Sequence, residues 1–133
     1  MHLALLVVGL GQLLLAAGSL WLPRLLRWPE QLAQLPPFLR RVFWVYAAYI
    51  LATNACLGSL SVWAPALLAD RTPLARLVAG YAAAYWGARL LIQFVWFRGV
   101  APRGFGYAVA DLAVTLGFFA CTVTYGALAL DCW

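Results

Sequence analysis

The chain has 133 residues, of which 66% are hydrophobic and only 10% are charged. Ordinary globular proteins are roughly 45–50% apolar and about 25% charged, so this composition excludes a soluble domain, which could not bury so much apolar surface. The net charge of +5 comes from arginine alone. Because the arginines lie mainly in short loops, we interpret them as determinants of membrane topology and not of nucleic-acid binding.

Four segments of the chain are long and apolar enough to span a bilayer, which takes about 20 mostly apolar residues. They cover residues 3–22, 42–62, 74–97 and 105–130. The first segment lacks the positively charged start of a signal peptide, and its apolar run is too long for one, so we interpret it as a transmembrane helix. The sequence therefore predicts an all-α polytopic membrane protein, one transmembrane domain over residues 1–133 in which four helices form a bundle.

The arginines also predict the orientation of these spans. Four spans place both termini on one side of the membrane, and loops 23–41 and 98–104 on the other. The loop side carries six arginines and the opposite side two, which by the positive-inside rule makes the loop side cytoplasmic. Arginine without lysine, together with abundant Ala, Leu and Gly, is typical of a GC-rich bacterial genome. We therefore expect a bacterial inner-membrane protein with both termini on the periplasmic side.

The longest connection, residues 23–41, has two interpretations. Pro29 can begin a short helix and Pro36 with Pro37 can end it. Several leucines give this segment an apolar side and arginines flank it, which favours an amphipathic segment lying on anionic lipid at the cytoplasmic interface. A plain loop anchored by arginines explains the pattern equally well.

Polar side chains recur within the predicted spans at helical spacing. In the third span four of them are four residues apart, which places them on one helix face. Arg89 and Asp111 lie eleven residues on either side of Val100, so an antiparallel hairpin would bring them to the same depth as an ion pair in the interior. The candidate site residues are Arg89, Asp111, Gln93, Tyr85, Tyr81, Asn54, Gln12 and Thr115.

Small residues predict where the helices approach closely, because they let two backbones meet. The small residues that we expect at such contacts are Gly9, Gly11, Gly18, Gly80, Ala83, Ala84, Gly87, Gly106, Gly117 and Gly126. On this pattern each helix has one polar or small face and one broad apolar face. The tyrosines Tyr46 and Tyr49 of the second span are expected in the interior, where their hydroxyl groups can find partners.

No residue pattern predicts a catalytic or metal site. His2 is the single histidine, so neither a catalytic triad nor a histidine metal site can be built, and no cofactor is indicated. We expect a non-enzymatic accessory or structural subunit of a membrane complex, with lipid and other membrane subunits or a second copy as partners and no nucleic acid. Two alternatives remain: a carrier or channel acting as an oligomer, and a lipid- or quinone-binding protein that uses Arg89 and Asp111. The same pair could instead be a purely structural clasp.

Overall fold

The computed structural model describes residues 1–97, 99–100 and 103–131, and all regular structure within these ranges is helical. The all-α prediction is thereby confirmed. The helices are α1 (His2–Ser19), α2 (Leu22–Leu25), α3 (Trp28–Leu32), α4 (Pro37–Trp63), α5 (Pro65–Ala69), α6 (Pro73–Val95) and α7 (Phe105–Ala129). The four long helices α1, α4, α6 and α7 correspond to the four predicted spans.

Three of these four helices, α1, α4 and α7, are long and apolar enough to cross a membrane. The prediction of four spans is therefore supported for three of them. Helix α6, with 23 residues, is long enough to span but not apolar enough by composition. The physical reason is its polar content, because Arg76, Arg89 and Gln93 interrupt a run that is otherwise mostly apolar. The predicted polar stripe is thus also what lowers the apolar character of α6.

Proline marks the start of three helices. Pro37, Pro65 and Pro73 occupy the first position of α4, α5 and α6, where the missing N–H has no helical partner and the fixed φ suits the first turn. Thr72 adds a side-chain cap to α6, since its Oγ1 accepts a hydrogen bond from the Ala75 N–H at 3.2 Å.

The first connection contains the predicted short helix after Pro29, which is α3. The connection itself is shorter than the predicted 23–41. Pro37 is the first residue of α4 and residues 37–41 are helical, so the connection ends at Pro36. Trp28 packs its ring against Phe43 of α4, with the centroids 5.0 Å apart. Leu32 is buried, so the apolar side of this segment has a protein partner at that position.

α1 packs closely against α4 where Gly9 meets Gly58. A Cβ atom at Gly9 would lie 2.9 Å from the Ser61 Cβ and 3.0 Å from the Gly58 carbonyl oxygen. The predicted close approach is therefore confirmed at Gly9. It does not occur at Gly11 or Gly18, where an added Cβ would meet nothing within 4 Å.

The other predicted glycines do not mark tight contacts. Added Cβ atoms at Gly80 and Gly87 would make ordinary contacts at 3.9 and 3.5 Å, and those at the three α7 glycines meet no close neighbour across an interface. Helix α7 packs against α1 and α6, and the Trp86 ring of α6 lies 5.3 Å from the Phe118 ring of α7. The buried core is formed by Leu5, Val8, Leu57, Leu68, Ala79, Ala82, Trp86, Phe118, Cys121, Tyr125 and Leu128.

Candidate functional site

The register between α6 and α7 separates Arg89 from Asp111. Gln93 donates a hydrogen bond to Asp111, and the Trp86 ring lies 5.3 Å from the Phe118 ring. Both α7 partners come four residues later in the chain than symmetry about Val100 predicts. That is one helical turn, or about 6 Å at ~1.5 Å per residue.

The predicted Arg89–Asp111 ion pair is therefore wrong. Among the described residues the ion pairs are Arg27–Glu30 and those that Asp131 makes with Arg71 and Arg76. The latter two lie at the opposite end of the α6–α7 pair, where the start of α6 meets the end of α7. An opposite-charge contact does join the α6–α7 pair, but at the end away from Arg89 and Asp111.

Arg89 instead rests on two aromatic rings. Its guanidinium carbon lies 5.5 Å from the Phe97 ring centre and 5.4 Å from that of Phe118. Both distances are within the range of cation–π attraction. The residue is half-buried, so the rings shield part of the charge and leave part of it facing outward.

Asp111 is exposed although it is the seventh residue of α7. At ~1.5 Å per residue it lies about 9 Å from the start of that helix. In the described part of the chain its hydrogen-bond partner is the neutral amide of Gln93. Among the described residues, the carboxylate at this position thus has no ion-pair partner.

The tyrosines of α6 continue the same outward side. The Tyr81 and Tyr85 rings stack with their centres 6.4 Å apart, and Tyr81 is 59% exposed. Tyr85 donates to the Asn54 Oδ1 of α4 at 2.9 Å, so this predicted pair of site residues is brought together. Thr115 is half-buried on α7. We call Tyr81, Tyr85, Arg89, Gln93 and Asp111 the polar face.

The expectation that the tyrosines of the second span lie in the interior is wrong. Tyr46 is 65% exposed and Tyr49 is 69% exposed. The reason is that α4 buries side chains only in its C-terminal half, at Asn54 and beyond, where it meets α1. Helical spacing identified the shared face of these tyrosines but not its direction.

A buried series of hydrogen bonds lies elsewhere, between α1, α4 and α7. Gln12 Nε2 donates to the Tyr125 hydroxyl at 2.6 Å, and Tyr125 lies 2.6 Å from Ser61 Oγ. Ser61 Oγ in turn donates to the Leu57 carbonyl at 2.9 Å. All three side chains are about 1% exposed or less. Sequence reasoning named Gln12 but missed Ser61, which sits one turn after Leu57 in an unremarkable small-residue run.

The donor and the acceptor of each hydrogen bond in this series follow from its last member, the Leu57 carbonyl. A backbone carbonyl can only accept, so the single Ser61 hydroxyl proton goes to Leu57. Tyr125 must then donate to Ser61, and its oxygen accepts from Gln12, which identifies the amide nitrogen as the atom on that side. Among the described residues, the other amide atom, Gln12 Oε1, has no hydrogen-bond partner, and neither has the indole N–H of Trp86.

No group of three or more His, Cys, Asp or Glu side chains that could hold a metal occurs among the described residues. Cys56 and Cys121 are unpaired thiols in that part of the chain. No family model, curated protein or solved structure matches the chain.

Proposed function

We propose that this chain is a non-enzymatic subunit of a membrane assembly, and that its polar face is the surface through which it assembles. All four long helices cross the bilayer as a bundle in this proposal, including α6, with both termini on the outer side. The occupant of the polar face is another membrane subunit or a second copy of the chain. The observation that supports this is the exposed carboxylate of Asp111, which accepts a hydrogen bond from Gln93 but has no ion-pair partner among the described residues.

The free-energy cost of leaving the Asp111 carboxylate in lipid favours a protein partner. A charged side chain within a span costs at least ~2.5–3.5 kcal/mol near the bilayer centre, so these residues normally face protein or water and pair with each other. The α7 helix has 25 residues, or about 37 Å, against a hydrocarbon thickness of about 30 Å. A helix centred in the bilayer would therefore place Asp111 about 5 Å inside the hydrocarbon. A neighbouring helix that presents a donor to Asp111 removes this cost.

The rest of the polar face supports the same conclusion. Tyr81 presents an exposed hydroxyl-bearing ring about 18 Å along α6 from Gln93, at ~1.5 Å per residue. The polar face therefore extends along about half of that helix. A single pairing at the membrane surface would not need such length. A partner helix lying along α6 would contact these groups over several turns, and interhelical hydrogen bonds of this kind are each worth up to ~1–2 kcal/mol.

A photo-crosslinking amino acid at Tyr81 tests this proposal in native membranes. The matched control is Phe119, an aromatic residue of α7 that is 57% exposed, close to the 59% of Tyr81. We expect a discrete protein adduct from position 81 and only lipid labelling from position 119, with the 81 adduct reduced when Asp111→Asn is added. An adduct of twice the chain mass identifies a second copy, and any other discrete mass a different subunit. Lipid labelling alone at both positions would refute the assembly surface.

A further inference from the structure

The first connection and the start of α4 together present a cationic surface. It consists of four exposed arginines, which are Arg24, Arg27, Arg40 and Arg41. The acidic residue in the same stretch is Glu30, which lies 3.9 Å from Arg27, so four arginines against one glutamate leave a net charge of +3. Among the described residues, the other three arginines have no ion-pair partner. The described part of the chain therefore does not neutralise this surface.

The length of α4 places Arg40 and Arg41 at the membrane surface. This helix has 27 residues, or about 40 Å, and is apolar enough to cross a membrane. The hydrocarbon core is about 30 Å thick, so an upright α4 extends about 10 Å beyond it. Trp63 at the far end is 82% exposed, as suits an aromatic residue at the interface. Counting about 20 residues back from Trp63 places the near boundary at Phe43, and both arginines about one turn beyond it, among the lipid headgroups.

Aromatic contacts hold the rest of the cationic surface at the same level. The Trp28 ring of α3 packs edge-on against the Phe43 ring of α4, with the centroids 5.0 Å apart. This contact places Arg27, the residue before Trp28, beside the same boundary. Trp21 follows the end of α1 and is 68% exposed, and the Arg24 guanidinium carbon lies 5.8 Å from its ring centre. Both pairs of arginines therefore lie at one interface, next to tryptophan rings.

Apolar side chains beside the arginines are exposed as well. Leu25 and Phe38 are each 74% exposed, and Leu39 is 51% exposed. Apolar groups are unfavourable in water, but at a bilayer surface they enter the boundary between headgroups and acyl chains. A soluble anion would neutralise the arginines and leave these groups in water. Arginines without ion-pair partners next to exposed apolar groups thus favour an amphiphilic anion over a soluble one.

We propose that the cationic surface binds anionic phospholipid. The guanidinium groups bind the lipid phosphate, because an arginine donates two parallel hydrogen bonds to its oxygens. Leu25 and Phe38 lie against the upper part of the acyl chains. A zwitterionic lipid has the same phosphate, but its headgroup cation offsets the attraction, so the surface selects lipids of net negative charge. This site is separate from the polar face and binds lipid whatever occupies that face.

Lipid titration of the detergent-purified full chain in mixed micelles tests this proposal. The probes are phosphatidylglycerol and phosphatidylcholine that carry the same dansyl group on an acyl chain, and energy transfer from tryptophan reports their binding. We expect phosphatidylglycerol to bind at least fivefold more tightly than phosphatidylcholine. Arg40→Gln combined with Arg41→Gln should weaken phosphatidylglycerol binding at least fivefold, the factor that ~1 kcal/mol for a single arginine near a membrane surface gives. Both residues are exposed, so the variant should fold as the wild type does.

The matched control removes two arginines at the other end of the molecule, by Arg71→Gln combined with Arg76→Gln. Asp131 pairs with both of them, so their charge is already offset and lipid affinity should change less than twofold. Equal binding of the two labelled lipids, or a loss in the control as large as that in the Arg40 and Arg41 variant, would refute the lipid site. Displacement of labelled phosphatidylglycerol by soluble glycerol phosphate at the same concentration would assign the surface to a free phosphate ester and would also overturn the proposal.

Discussion

The hydrogen-bonded chain from Gln12 through Tyr125 to Ser61 predicts a specific effect of removing one hydroxyl group. Tyr125→Phe keeps the buried ring but leaves the Gln12 amide nitrogen without an acceptor. Ser61 loses the hydrogen bond that it accepts from Tyr125 but keeps the one that it donates to the Leu57 carbonyl, so its hydroxyl proton stays satisfied. Gln12 is 1% exposed, so neither water nor lipid headgroups can supply the missing partner.

The expected loss of stability is about 1–2 kcal/mol. An unsatisfied buried donor costs roughly 1–3 kcal/mol in protein interiors. Hydrogen bonds between membrane helices are weaker, averaging ~0.6 and reaching ~1.7 kcal/mol, because helices separated in the membrane find other partners. Because the Gln12–Tyr125 contact is fully buried, we expect the stability lost in Tyr125→Phe to lie in the upper part of the range for membrane helices.

Reversible unfolding in mixed micelles, followed by circular dichroism as the SDS fraction rises, measures this loss. Tyr107→Phe is the control, because Tyr107 lies on the same helix and is 44% exposed; it should change stability by less than ~0.5 kcal/mol. Gln12→Leu removes both amide atoms, so the double variant with Tyr125→Phe should be more stable than Tyr125→Phe alone. A double variant whose loss equals the sum of the two single losses, or a Tyr125→Phe variant as stable as the control, would refute the coupling.

Three further predictions concern packing, charge and topology. Gly9→Ala should destabilise the protein by ~1–3 kcal/mol in the same unfolding assay, because its new methyl group meets the facing helix at 2.9 Å. In the control Gly18→Ala the new methyl group meets nothing within 4 Å, so this variant should be neutral or stabilising. Asp131→Asn removes the carboxylate that pairs with Arg76 and should lower the stability by ~0.2–1 kcal/mol. High salt should diminish this loss, and a loss of stability that is independent of ionic strength would contradict an ion-pair origin. Cysteine introduced at His2 in a background with the native cysteines replaced should react with an impermeant maleimide added outside intact cells, and protection there until lysis would reverse the proposed orientation.

Composition and local pattern were sufficient for the helices themselves. The apolar segments predicted four helices within a few residues of their observed ends, because helix length depends on continuous runs of helix-forming residues and on prolines at the starts. The one large difference, the start of α4 at Pro37, reflects a second role of proline, which begins a helix as readily as it ends one. The polarity that sets α6 apart was likewise visible in the positions of Arg76, Arg89 and Gln93.

Tertiary structure decided which of the polar residues meet. A spacing of four residues places Arg89 and Gln93 on one face of α6, but it does not determine the level or the rotation of the neighbouring helix. A displacement of one turn makes Gln93 the partner of Asp111 and leaves Arg89 on aromatic rings. Such a displacement changes no local propensity, so no pattern within a single helix can reveal it.

The buried chain of hydrogen bonds illustrates the same limit. Gln12 and Tyr125 are 113 residues apart, and each alone resembles an isolated polar residue in an apolar helix. Their contact depends on how closely α1 approaches α4 at Gly9 and on how α7 packs beside both. The amino-acid sequence by itself therefore determined an apolar, all-helical chain with polar residues at helical spacing. Only the packing of whole helix faces decided which polar groups are satisfied within the chain and which, like Asp111, face outward.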